Sequence, residues 1–237
     1  MSYFNLFLLF FCAFVGGLAT FFFKNDQSKN LKLVLSFSGA YLFSITVLHL
    51  LPDVYENGNH TVGIFIMIGF AFQIILEQFS QGIEHGHIHY HNKQSNTFPI
   101  GIIISLSIHA FLEGMPLALN STSPLVYGIA LHHIPASFAL ASILQQNKIS
   151  KTNIIFLLLL FAIMTPLGLF ASSELSNGTI ENISVYFDLI MALVIGMFLH
   201  ISTTILFESS VDHRFNLYKI VAILIGGGIA LVTFIIH

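Results

Sequence analysis

The feature that most constrains this sequence is a series of apolar stretches, each long enough to cross a membrane. A spanning helix needs about 20 mostly apolar residues. Eight such windows occur, at roughly 3–23, 32–51, 62–80, 98–119, 124–145, 152–172, 184–207 and 217–236. Only 8% of the residues are charged, against about 25% in a soluble globular domain. We predict an all-α integral membrane protein with eight transmembrane helices, forming a single transmembrane domain over residues 1–237.

The basic residues predict how these helices are oriented. Cytoplasmic connections carry an excess of Lys and Arg, and all 8 basic residues of this chain fall at the connections after spans one, three, five and seven. They are Lys24, Lys29, Lys32, Lys93, Lys148, Lys151, Arg214 and Lys219. This distribution predicts an N-out, C-out topology for a multi-pass protein of the cell membrane, either a plasma membrane or a bacterial inner membrane.

Four ionisable side chains fall near the centres of spans four and five. His109 and Glu113 are four residues apart and therefore share one helical face, and His132 and His133 lie near the middle of the next span. Ionisable groups at this depth are costly unless they are paired, liganded or facing water. We predict that His109, Glu113 and the His132/His133 pair bind a divalent transition metal. Adjacent residues project about 100° apart on a helix, so both histidines cannot be assumed to reach one ion. The alternative is that one of them does not bind the ion but orients a ligand through that ligand's other ring nitrogen.

Two prolines accompany these residues. Pro116 and Pro135 lack an amide proton, and their rings clash with the carbonyls of Leu112 and Leu131. We expect each proline to kink its helix and to free a carbonyl beside the site. An ordinary packing kink is the alternative.

Further metal-binding side chains lie towards the ends of the spans. His49 and Asp53 are expected at the outer end of span two, and His200 and Glu208 towards the inner end of span seven. These four residues are candidates for an ion path, and the alternative is a role at helix ends or at the membrane interface.

An inside loop at about 81–97 carries alternating histidines at His85, His87, His89 and His91. Neutral imidazole binds zinc-like ions well. This loop is therefore either a transient metal site or a solvated linker.

These residues resemble the motifs of the Zrt/Irt-like (ZIP) family of divalent metal transporters. Span four reads His109-Ala110-Phe111-Leu112-Glu113-Gly114 and span five reads His132-His133-Ile134-Pro135-Ala136-Ser137, where the family has paired motifs of the type His-Asn-x-Pro-Glu-Gly. The end of span two, His49-Leu50-Leu51-Pro52-Asp53, is similar to the family's His-Leu-Leu-Pro-acid pattern. The resemblance implies eight spans with both termini outside, a His-rich inside loop after span three, and a 3+2+3 helical bundle with an inverted repeat.

Three departures from the family pattern fall at positions that concern the family's metal ligands. Ala110 stands in place of Asn and Ala136 in place of Glu, while His133 occupies a position where the family has Asn, Asp or Glu. The two alanines have no ligand side chain for the second ion of the family's binuclear centre. We therefore expect one principal ion, held by His109, Glu113 and the histidine pair of span five.

The expected function is transport of zinc, or another divalent transition metal, into the cytoplasm, with the inward direction implied by the resemblance alone. The metal is then the transported substrate, and we expect no organic cofactor and no enzymatic activity. Metal ions and membrane lipid are the expected partners; a homodimer is left open, and no nucleic acid partner is expected.

Two other functions are compatible with intramembrane histidines and acids. In an intramembrane zinc hydrolase, the metal would lower the pKa of a bound water and Glu113 would act as general base. The chain has no His-Glu-x-x-His motif, and the polar residues at both ends of the spans suit an ion path better. A metal sensor that binds the ion without moving it is the third possibility.

Overall fold

The computed structural model describes residues 3–22, 28–57, 61–83, 99–118, 123–177, 183–208 and 217–236. Every regular element within these ranges is a helix. Eight segments are long and apolar enough to cross a membrane: Tyr3–Phe21, Asn30–Glu56, Thr61–Ser80, Ile100–Ala118, Pro124–Gln146, Lys151–Glu174, Phe187–Phe207 and Leu217–Ile236. The predicted all-α architecture with eight spans is confirmed, and the chain is a multi-pass membrane protein.

The described ranges contain nine α-helices. These are α1 (Tyr3–Leu18), α2 (Ser28–Ile45), α3 (Leu51–Asn57), α4 (Thr61–Ser80), α5 (Ile100–Gly114), α6 (Ser123–Gln146), α7 (Lys151–Asn177), α8 (Ile183–Glu208) and α9 (Leu217–Ile236). Short 3-10 turns extend α1 over Ala19–Phe21 and α5 over Met115–Ala118. A π-helical turn, Thr46–Leu50, joins α2 to α3, so that these two helices form the second span.

The second span is longer than the sequence predicted. We expected it to end near residue 51, but the helix continues through α3 and carries Asp53 on an exposed position. Pro52 lies in the first turn of α3, where a missing amide proton is tolerated. The preceding π-helical turn is wider than an α-helical turn, and its Leu51 N–H donates to Thr46 O. This wider turn lets the chain pass Pro52 without ending the helix.

The helices associate into two bundles of four spans each. In the first bundle, α1 packs along α6, α5 packs along α7, and α1 also contacts α7. In the second bundle, α4 packs along α8, α2 packs along α9, and α2 also contacts α8. The bundles meet where α2 contacts α6 and where α4 contacts α5. Helices that are distant in sequence are thus neighbours at the bundle interface.

The helix pairing has the pattern of a 3+2+3 inverted repeat. Exchanging spans one to three with spans six to eight, and span four with span five, converts the α1–α6 pair into α7–α5 and the α2–α9 pair into α8–α4. In this arrangement α5 and α6 occupy equivalent positions. Transporters with inverted repeats bind their substrates near the bilayer midplane, at the interface of the repeats.

Buried apolar side chains form two separate clusters towards opposite ends of α5 and α6. One cluster includes Leu106 of α5 and Ala139 of α6. The other includes Leu117, just beyond α5, and Ile129 of α6. The turns of α5 and α6 that lie between these positions carry the predicted metal-binding residues. The candidate site therefore lies in the layer where the two apolar clusters meet.

Two glycines allow α5 and α7 to cross with their backbones in contact. A Cβ atom at Gly114 would lie 2.1 Å from Thr165 O, and one at Gly168 would lie 1.9 Å from Phe111 O. Because carbon and oxygen atoms do not approach so closely, only glycine fits at these two positions. The crossing brings α7 directly beside Glu113.

We expect Gly168→Ala to lower the free energy of unfolding by about 1–3 kcal/mol, because overpacking forces helices apart. Gly228→Ala in α9 is the matched control, since nothing beyond the adjoining backbone of its own helix lies within 4 Å of the position of its Cβ. Thermal unfolding of the detergent-solubilised variants, followed by circular dichroism, makes the comparison. Unfolding of Gly168→Ala at the wild-type temperature would contradict the close crossing.

Candidate metal centre

The first part of the site comes from one face of α5. His109 is 1% exposed and Glu113 is 0% exposed. Their four-residue spacing places them on successive turns, and His109 Nε2 lies 3.1 Å from Glu113 Oε1. The predicted neighbourhood of these two side chains is therefore present in the structure.

The two prolines act differently on their helices. Pro116 lies in the 3-10 turn that follows α5, and Met115 N–H donates to Leu112 O, three residues back. The α-helix thus ends directly after Glu113. Pro135 lies inside α6, which continues through it, and its missing amide proton leaves Leu131 O without the usual helical donor.

The second part of the site comes from α6, where His132 is 0% exposed and His133 is 1% exposed. His132 faces His109, with 6.1 Å between the ring centroids. His133 Nε2 lies 2.7 Å from Glu113 Oε2, the carboxylate oxygen that does not face His109. The two adjacent histidines therefore have different neighbours: His132 lies beside the ring of His109, and His133 contacts the carboxylate of Glu113.

Three side chains lie close enough to share one ion. One ligand atom from each of His109, Glu113 and His132 lies within 4.8 Å of the other two. Ligands bound to zinc at 2.0–2.2 Å are about 3–4 Å apart, so small side-chain movements would close this group around an ion. We call it the His109–Glu113–His132 group. It contains three of the four residues predicted for the site.

The sequence analysis missed Gln73, a residue of α4 that contacts the site from the second bundle. Gln73 is 0% exposed, and His109 Nδ1–H donates to its Oε1 over 3.2 Å. A carboxamide oxygen only accepts hydrogen bonds, so a neutral His109 that makes this bond carries its ring proton on Nδ1 and its lone pair on Nε2. The sequence feature that could have indicated Gln73 is a polar amide side chain within an apolar span.

The facing atoms of His109 and Glu113 are suited to hold a cation between them. With His109 neutral, its Nε2 and Glu113 Oε1 both present lone pairs, and these two atoms are 3.1 Å apart. Two such atoms repel each other unless a cation lies between them. Imidazole nitrogen and carboxylate oxygen are both ligands of divalent transition metals. The pair is therefore suited to a metal ion.

Thr165 of α7 is the second residue that the sequence analysis missed. It is 1% exposed, and its hydroxyl lies 3.4 Å from His133 Nδ1. With the Thr165 hydroxyl as donor to Nδ1, a neutral His133 carries its proton on Nε2 and donates it to Glu113 Oε2. The ring of Phe161 packs against His133 with centroids 5.7 Å apart. No pattern in the sequence distinguishes Thr165 from other threonines.

The residues predicted for an ion path do not join this group. His200 Nε2 of α8 lies 2.5 Å from Glu77 Oε2 of α4, and both side chains are mostly buried. His49 lies in the π-helical turn with its ring edge-on to Phe234, at 5.0 Å between centroids. Asp53 is exposed on α3. A path through these residues stays a prediction.

Some predicted positions lie outside the described residues. Glu208 ends α8, but its side chain is not among those described. The loop histidines His85, His87, His89 and His91 also lie outside the described ranges. A metal site in this loop stays a prediction.

The fold and the site together define a multi-pass membrane protein with a candidate intramembrane metal centre. Comparison with known families agrees with this class. The family profile described as ZIP Zinc transporter matches residues 84–234, which is more than half of the chain. The chain belongs to the ZIP zinc transporter family, as the sequence motifs indicated.

Several curated proteins are similar to this chain in sequence. Zinc transporter ZIP9 of Micropogonias undulatus is 28% identical over 63% of this chain and 51% of its own length. Zinc transporter ZIP9-B of Xenopus laevis is 27% identical over 63% of this chain and 52% of its own length. Protein zntD of Dictyostelium discoideum is 28% identical over 65% of this chain and 25% of its own length. The chain spans about half the length of the ZIP9 relatives.

His132 and His133 should contribute differently to zinc binding. We expect His132→Ala to weaken zinc binding more than His133→Ala, because His132 lies in the three-residue group whereas His133 contacts Glu113 Oε2. Loss of an outer partner of a metal site costs about 10–100-fold in affinity, and loss of a ligand should cost more. Competition with a zinc-binding dye in detergent measures both variants, which lose the same ring from adjacent positions. A larger loss for His133→Ala would contradict this assignment.

Proposed function

We propose that this protein moves zinc, or another divalent transition metal, across the cell membrane into the cytoplasm. The observation that supports this most is the buried His109–Glu113–His132 group in the layer between the two apolar clusters. Ionisable side chains at such a depth in a membrane protein are costly and commonly mark a substrate or ion pathway. Membership of the ZIP zinc transporter family supports the same function.

In this proposal the ion in transit is bound by His109 Nε2, Glu113 Oε1 and one nitrogen of His132. Three protein ligands leave a coordination position for water, which favours rapid exchange over the closed geometry of a structural zinc site. His133 holds the other oxygen of Glu113 in place. Ala110 and Ala136 offer no donor atom for a second ion, which supports a site for a single ion.

The donor set suits zinc, but it also suits iron(II), cadmium and manganese. Imidazole is a common ligand of zinc and iron, and carboxylates also bind manganese. The names of the ZIP9 relatives refer to zinc. We therefore propose zinc as the first substrate to test.

The proposed ion path runs through the whole chain as one transmembrane domain. His49 and Asp53 lie towards its outer end, and His200 and Glu208 lie towards its inner end. The His-rich loop, 81–97, would receive ions on the cytoplasmic side. The inward direction is supported by the family resemblance alone.

The contacts of Glu113 favour transport over hydrolysis. A general base needs a carboxylate oxygen directed at the attacking water. Glu113 Oε2 accepts a hydrogen bond from His133, and Oε1 faces His109. The curated relatives named as zinc transporters also support a protein that is not an enzyme.

We expect liposomes that contain the purified protein and an internal zinc dye to show saturable zinc uptake. Glu113→Gln should reduce uptake to the level of protein-free liposomes, because it removes the charged ligand while keeping the size of the side chain. Glu174→Gln is the matched control, since Glu174 is an exposed carboxylate near the end of α7. It should leave uptake unchanged.

Each alternative predicts a different result in this assay. Wild-type uptake by Glu113→Gln, at equal protein content, would refute the assigned site. Zinc binding without uptake would support the sensor. Zinc-dependent cleavage of lipid or peptide would support the hydrolase. Competition by iron(II), manganese and cadmium would then rank the substrates of a transporter.

A further inference from the structure

We propose that Gln73 is a positioning residue that prepares His109 to bind the ion, so that metal affinity depends on the contact between the two bundles. This inference rests on the proposed function for the identity of the ion. The three candidate ligands belong to α5 and α6 of the first bundle, whereas Gln73 belongs to α4 of the second bundle. The contact therefore joins the site to a part of the fold that supplies none of these three ligands.

The geometry of this contact is that of an outer partner in a metal site. Histidines that bind metals commonly donate their second ring N–H to a carbonyl or carboxylate oxygen, which fixes the tautomer and increases the basicity of the ligand nitrogen. His109 Nδ1–H donates to Gln73 Oε1 over 3.2 Å, and both side chains are fully or almost fully buried. In neutral His109 the lone pair is then on Nε2, the nitrogen that faces Glu113 Oε1.

A second hydrogen bond keeps α4 and α5 in register one turn away. Ser105 Oγ donates to Leu76 O over 2.6 Å. Ser105 and His109 are four residues apart on α5, and Gln73 and Leu76 are three residues apart on α4, so both bonds lie on the same two facing surfaces. Of these two bonds, only the one between His109 and Gln73 involves a candidate ligand.

The difference between these two bonds distinguishes positioning from packing. Loss of the Ser105 bond weakens the α4–α5 contact but leaves His109 with its acceptor. Loss of the Gln73 acceptor leaves His109 Nδ1–H buried without that partner, and the ring no longer has a preferred tautomer. Loss of an outer partner of this kind costs about 10–100-fold in metal affinity.

The test compares three variants of the 237-residue chain by competition between Zn²⁺ and a zinc-binding dye. Gln73→Met keeps the size of the side chain without the acceptor, and we expect it to weaken binding by about 10-fold or more. Gln73→Glu keeps an acceptor oxygen and should bind zinc at least nearly as well as the wild type. Ser105→Ala should have wild-type affinity. If Gln73→Met does not fold, Gln73→Asn replaces it, because its shorter side chain cannot reach His109 Nδ1.

Uptake into liposomes supplies a second readout. Gln73→Met should raise the KM for zinc while kcat is largely retained, whereas a folding defect would lower the amount of active protein and leave KM unchanged. Wild-type affinity in Gln73→Met, or an equal loss of affinity in Gln73→Glu or Ser105→Ala, would overturn the inference. If the Gln73 variants behave as expected in binding but the wild type shows no uptake, the positioning role stands and the proposed transport function fails.

Discussion

The carboxylate of Glu113 is the group on which the rest of this structure depends. It is completely buried among apolar helices, where a charge is stable only with partners. One oxygen faces His109 and the other accepts from His133. Gln73 and Thr165 in turn hold these two rings from neighbouring helices. Four helices therefore contribute to the surroundings of a single side chain, and each contribution requires a particular helix contact.

The two oxygens of Glu113 have different surroundings, and this asymmetry determines how the site can bind. Oε1 faces His109, with 3.1 Å to its Nε2. Oε2 contacts His133 Nε2, and Ala136, at a position where the family has Glu, has no ligand side chain. A carboxylate that bridges two ions needs both oxygens available. In this chain His133 contacts Oε2, the oxygen that a second ion would need. This contact agrees with the single ion of the proposed mechanism.

The sequence was sufficient for features that depend on local patterns. Apolar length predicted the eight spans, and the four-residue spacing of His109 and Glu113 predicted their contact. The 100° projection of adjacent residues left the roles of His132 and His133 open, and the structure shows that His132 faces His109 whereas His133 contacts Glu113 Oε2. Gln73 and Thr165 could not be assigned because their partners lie on helices distant in sequence. Division into two bundles likewise depends on contacts between helices, which apolar length does not encode.

The glycine crossing of α5 and α7 has a consequence for the tolerance of the site. Gly114 directly follows Glu113, and Gly168 lies on the same helix as Thr165. At this point the spacing of the helix axes is determined by main-chain atoms, which have almost no freedom to repack, and not by flexible side chains. The distances around the Glu113 carboxylate therefore depend on the contact between the two backbones. Conservative changes in the surrounding apolar side chains should leave the dimensions of the candidate site intact, whereas a single added methyl group at the crossing should alter them.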